Sequence, residues 1–140
     1  QGSGEGELNA PCGIAFTAEG DLIVADLGND RLLVFKEDGT FVRSVGERGS
    51  REGEFANPTD VCVGPDGSVI VMDCDNHRVQ VFDSEWRFVR AFGTYGDGDG
   101  QFLDMHGIAV GPAGEILVSD YDRVDIQVFS REGVLLQTIG

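Results

Sequence analysis

The chain has 140 residues, with 25 Asp and Glu against 10 Lys and Arg, and a formal net charge of −15. That length suits one domain with a real core, and the acidity argues against binding a phosphate backbone or an anionic membrane surface. No apolar run approaches 18 residues, so no membrane-spanning helix is expected, and no signal-peptide pattern is visible.

In chain order, four short apolar runs come first, at 14–16, 22–25, 32–35 and 41–45, joined by turns such as TAEGD and KEDGT. Each run suits a strand, and Gly or Asp in each connection suits a hairpin. The series recurs at 61–63, 68–73, 77–83 and 85–93, and again at 108–110, 116–119, 126–129 and 135–139. Asp26, Asp73 and Asp120 stand 47 positions apart; so do Phe35, Phe82 and Phe129, and Gly46, Gly93 and Gly140. No insertion interrupts the copies, so three units are expected, at approximately 1–46, 47–93 and 94–140. No segment has helical periodicity of useful length. The second strand of each unit is apolar on both sides and needs cover on both faces. Four-stranded antiparallel sheets stacked about an axis meet that need, and the predicted class is an all-β propeller with three blades.

The second copy reads GEFANPTDVCV and then GSVIVMDCDNHRVQVF. It resembles the NHL repeat, whose name comes from an Asn-His-Leu-like triplet; the first copy resembles it well and the third less. The resemblance implies six-bladed propellers, as in tripartite-motif proteins and related bacterial proteins. It implies function far more weakly than fold.

His77 invites an acid–base reading, but its position holds Asp30 in the first copy and Val124 in the third. A structural role for the triplet is therefore expected. Asp26 ends a second strand and Arg31 opens the next; Asp73 and Arg78 repeat the arrangement. A charged hydrogen bond across each hairpin is expected, a structural clamp. The third copy has Arg123 where Asn belongs and Asp125 where Arg belongs. Asp120 and Asp125 should then face each other with Arg123 bridging.

Three blades do not close a ring, since propellers have about 4 to 8. Each open end bares a sheet face on the order of 300 Å², from five residues per strand and four strands. Two such patches exceed what a soluble monomer usually presents. Gln1-Gly2-Ser3-Gly4 falls in register with Arg48-Gly49-Ser50-Arg51. The expectation is a homodimer, two chains joined head to tail in one six-bladed ring; the rival is half of a longer propeller.

Candidate binding residues lie in the loops at one end of the channel: Arg48, Arg51, Asp75, Asn76, His77, Tyr95, Tyr121, Asp122 and Arg123. Cys12, Thr59 and His106 share one register position and are expected at the channel mouth. Two His and two Cys there in a dimer would suit zinc only if they converged, and Asp97 with Asp99 supply too few oxygens for calcium. No metal and no cofactor are therefore expected, and GDGDG at 96–100 reads as a flexible linker. The three cysteines sit at non-equivalent positions and form no disulfide framework, which favours reduced thiols and a cytoplasmic setting. No nucleophile–base pair stands out. The resemblance to an amidating lyase with this fold requires several metal-binding His, and this chain has two. A non-catalytic scaffold binding protein or peptide is the leading expectation, an RNA-binding domain the second, and a metal-dependent lyase-like enzyme the third.

Overall fold

The computed structural model describes residue 2 and residues 4–140. Gln1 and Ser3, two of the junction residues set in register above, lie outside the described residues. The first sheet comprises β1 (Pro11–Phe16), β2 (Leu22–Asp26), β3 (Arg31–Phe35) and β4 (Phe41–Val45). The second comprises β5 (Pro58–Val63), β6 (Val69–Asp73), β7 (Arg78–Phe82) and β8 (Phe88–Phe92). A short parallel pair, β9 (Thr94–Tyr95) and β10 (Gln101–Phe102), precedes the third sheet. That sheet comprises β11 (Met105–Val110), β12 (Ile116–Asp120), β13 (Asp125–Phe129) and β14 (Leu135–Ile139). All three large sheets are antiparallel meanders in sequence order. Among the described residues there is no α-helix, and so none long and apolar enough to cross a membrane.

The hairpins follow turn chemistry. Gly39 and Gly133 take left-handed φ of 91° and 87° between third and fourth strands, where a side chain is disfavoured. The equivalent position in the second sheet is Trp86, which accepts φ 67° and packs its ring against Phe82. The first strand of each sheet starts about three residues earlier than the apolar pattern suggests. A register shift interrupts each one, between Pro11 and Ile14, Pro58 and Asp60, and Met105 and Gly107. Such a bulge breaks the two-residue alternation on which the pattern depends.

Two cores separate the three sheets. Ile23, Ala25 and Leu32 of the first sheet meet Val61, Val69, Val71 and Phe82 of the second. Ile70, Met72, Val79 and Val81 of the second meet Ile116, Val118 and Phe129 of the third. β6 thus buries alternate residues on opposite sides, and all five are buried. Among the described residues the outer faces have no such partner: Ile14 is 64% exposed, whereas its equivalent Val61 is 3% exposed.

Candidate functional site

The end of the sheets where second strands finish and linkers arrive is organised around one buried carboxylate per blade. Asp73, at the end of β6, is fully buried. Its Oδ1 accepts the Ala56 N–H at 2.8 Å. Its Oδ2 accepts from Arg78 Nε at 2.8 Å, Asn76 Nδ2 at 3.0 Å and Gln80 Nε2 at 3.1 Å. These donors reach onward to the linker. Arg78 donates to the carbonyls of Ser50, Arg51 and Glu54, each at 2.9 Å. Asn76 donates to Gly49 at 2.8 Å, and Gln80 joins the Gly53 N–H and the Glu54 carbonyl. A loop that would otherwise leave backbone groups unsatisfied is thereby captured by the blade it leads into.

The first blade repeats the arrangement. Asp26 accepts the Asn9 N–H at 2.7 Å, Asn29 Nδ2 at 2.9 Å and Arg31 Nε at 3.4 Å. Arg31 then reaches the carbonyls of Gly4 and Glu7. The third blade reaches the same end by another route. Asp120 and Asp125 pair across the hairpin. Among the described residues the Asp120 carboxylate takes backbone donors, those of Leu103, Asp104, Asp122 and Arg123. Arg123 makes a two-pronged pair with Asp125 at 3.1 and 2.8 Å and donates to Gly98 O at 2.9 Å. Gly98 is the register equivalent of Gly4 and Arg51, the carbonyls held by Arg31 and Arg78. The guanidinium therefore serves the same backbone position from two residues earlier, and its hydrogen bond to Asp125 raises its pKa.

The nine expected interface residues divide into two held in the clamp, six exposed, and the half-buried His77. Asn76 and Arg123 have their polar atoms committed to the clamp, and the Arg123 side chain is only 7% exposed. Arg48, Arg51, Asp75, Tyr95, Tyr121 and Asp122 remain exposed. Asp30, His77 and Val124 all take left-handed φ, of 53°, 52° and 59°. Asp30 pairs with Arg48 at 3.3 Å, and His77 sets its ring edge-on against Tyr95 at 4.8 Å. The His position is thus a turn residue that reaches the next blade, which is what His77 does here. At the mouth, Thr59 Oγ1 and Cys74 Sγ lie 2.7 Å apart, while His106 stacks on Tyr121 at 5.3 Å. A hollow of about 360 Å³ runs between Thr59 and His106, past Asn57, Asp75 and Asp104. Cys12 points its thiol at the carbonyls of Ala25 and of Pro58, the residue before Thr59. Among the described residues no three His, Cys, Asp or Glu are grouped to hold a metal.

Residues 96–100, expected as a flexible linker, are instead tied down. Gly96 N–H reaches Phe102 O, Gly98 N–H reaches Gln101 Oε1, and Gly100 N–H reaches Gln127 Oε1. Sequence reading missed Gln80 and Gln127, both fully buried. Their 47-residue spacing was visible, but a polar residue in an alternating strand reads as a solvent-facing one.

Residues 55–82 match the family model described as the NHL repeat. The chain carries an NHL repeat. Over 42 residues it is 48% identical to Protein lin-41 of Caenorhabditis elegans, covering 30% of this chain and 4% of that protein. Over 45 residues it is 42% identical to Protein brain tumor of Drosophila melanogaster, covering 32% and 4%. Over 41 residues it is 49% identical to the E3 ubiquitin-protein ligase TRIM71 of Mus musculus, covering 29% and 5%. The chain therefore spans a small fraction of the length of these relatives. Among solved structures, a putative exported protein of Bacteroides fragilis matches with TM-score 0.72 at 17% identity, covering 98% of this chain and 39% of that one. A streptogramin B lyase matches with TM-score 0.69 at 14% identity, covering 90% and 39%. At such identities the likeness concerns the fold, that of a propeller-like stack of four-stranded sheets; the residues matched to the NHL repeat hold β5, β6 and β7 of the middle sheet.

Arg123→Ala should lower stability by roughly 2 kcal/mol, the scale of lost charge-assisted hydrogen bonds. The double change Arg123→Asn with Asp125→Arg, which restores the arrangement of the other blades, should recover most of it. Urea unfolding of the three proteins checks this; an unchanged midpoint for Arg123→Ala would contradict it. Burial pushes the Cys62 thiol up to about 12 and the Cys74 thiol up to about 11, from an ordinary 9.0. From pH 9 toward those values the folded chain holds protons that the unfolded chain has released, so stability should fall as pH rises through that window. The fall in urea midpoint above pH 9 should shrink when Cys62 and Cys74 are both changed to Ala. An identical pH profile in the double variant would show that the thiols play no part.

Proposed function

We propose that the chain is a non-catalytic NHL propeller module that closes as a two-chain, six-bladed ring and binds a basic protein segment or peptide on its linker-side rim. The observation that carries this reading is the pair of exposed aromatics beside carboxylates. Tyr95 and Tyr121 are 67% and 69% exposed, each against a His ring; Asp75 stands two residues before His77, Asp104 lies 3.7 Å from His106 and accepts the Tyr121 N–H at its carbonyl, and Asp122 follows Tyr121. An aromatic face next to carboxylates attracts Lys and Arg, by cation–π contact and by charge. The net charge of −15 points the same way and opposes an RNA backbone. The alternative RNA reading has only Arg48 and Arg51 as exposed rim cations among the residues named for it.

A catalytic reading draws on structural neighbours that are lyases, a streptogramin B lyase and a virginiamycin B lyase. Against it, Thr59 and Cys74 are close, but burial pushes the Cys74 thiol up, the opposite of what an activated nucleophile needs. The test is calorimetric titration with a Lys- and Arg-containing peptide series, an acidic control series and single-stranded RNA. Basic peptides should bind, and Tyr95→Ala with Tyr121→Ala should weaken them by roughly 10-fold. Salt-sensitive RNA binding, or peptide affinity indifferent to both tyrosines, would overturn the reading.

A further inference from the structure

Each internal blade junction contains the same knob and socket. Gly46 and Gly93 follow the fourth strands with φ of 90° and 105°. A Cβ at Gly46 would overlap the ring of Phe55, and one at Gly93 the ring of Phe102. Both rings come from the next blade's linker, and both are fully buried. The glycine is the floor on which the aromatic lies. Leu32 and Val45 wall the first socket; Val79 and Phe92 wall the second.

At the outer edge of the third sheet the same glycine recurs, and among the described residues no aromatic ring lies on it. Gly140 has φ 118°, and the nearest atoms to where a Cβ would lie belong to its own blade, at Val124 and Asp125. A hollow of about 650 Å³ opens beside it, lined by Tyr121, Val124, Ile126 and Ile139. Ile126 and Ile139 are the register equivalents of Val79 and Phe92. A second hollow of about 300 Å³, past Ala109 and Leu117, continues the apolar face inward.

The matching knob is at the other end of the same chain. Leu8 is the register equivalent of Phe55 and Phe102. Its loop is shaped alike: Gly2 N–H meets Leu8 O as Gly49 N–H meets Phe55 O and Gly96 N–H meets Phe102 O. The Asp26 clamp fixes the next residue, Asn9, as Asp73 fixes Ala56. Leu8 is half-buried and flanks a face on which Ile14 and Phe16 stay exposed. We infer that Leu8 of a second copy seats on Gly140, against Ile126 and Ile139, and that two copies exchange this contact reciprocally. In that seat Val124, 79% exposed in the single chain, meets Ala10, where the internal junction joins Asp30 to Asn57 N–H at 2.8 Å. The four faces so covered come to about 1,200 Å², the lower end of stable interfaces.

This inference rests on the ring reading and specifies its contact. It is tested by light scattering after size-exclusion chromatography over a dilution series, on the chain itself, Leu8→Phe and Leu8→Asp, with circular dichroism to verify folding. The chain should run at twice its mass. Leu8→Phe, which supplies the ring found at both internal junctions, should dissociate at roughly 10-fold lower concentration, and Leu8→Asp at a concentration at least 100-fold higher. A dimer whose dissociation is the same in all three would overturn the socket and leave the ring reading standing on other contacts. A folded monomer for both the chain and Leu8→Phe would overturn socket and ring together.

Discussion

A carboxylate buried at the end of each second strand governs this molecule. Asp26, Asp73 and Asp120 carry charge or its equivalent hydrogen-bonding capacity into a site with almost no exposure. Such a group is tolerated only when every lone pair is met. The donors that meet it come from two places at once, the following hairpin and the preceding linker. The Asp therefore joins segments about 17 residues apart in sequence and makes each blade a unit that includes its own incoming loop.

Several features depend on that junction. The linker is shaped firmly enough to aim an apolar residue, Phe55 or Phe102, into the preceding blade. The glycine ending that blade must lack a side chain to receive it. The sheets are thereby spaced for a central strand such as β6 to bury both faces. The rim left over after the clamp is satisfied carries the exposed Tyr95 and Tyr121, and this is where recognition chemistry has room. The copy in which the clamp residues are exchanged shows what the constraint is: a guanidinium over one carbonyl, whether from Arg78 or from Arg123.

Much of this was legible in the sequence, because a 47-residue period reports strand order directly. The Asp26–Arg31 and Asp73–Arg78 pairs were readable from their five-residue spacing across a hairpin. The starts of β1, β5 and β11 were not, since a bulge erases alternation. Nor was the order in residues 96–100, because a glycine-rich segment looks mobile until its N–H partners are known, and one partner, Gln127, lies 27 residues away. Asn76 and Arg123 also stood as rim candidates, yet beyond their carboxylate partners Asp73 and Asp125 they hold the carbonyls of Gly49 and Gly98, which have no sequence signature.

The central claim is that the buried Asp holds the linker as tightly as strands hold one another. Native-state hydrogen exchange of the Asn9, Ala56 and Leu103 amides tests it most directly, since each donates to one of the three carboxylates. These loop amides should exchange as slowly as the ladder amides of β6 and β7, by way of global unfolding. Exchange at the rate of an open surface loop would contradict it.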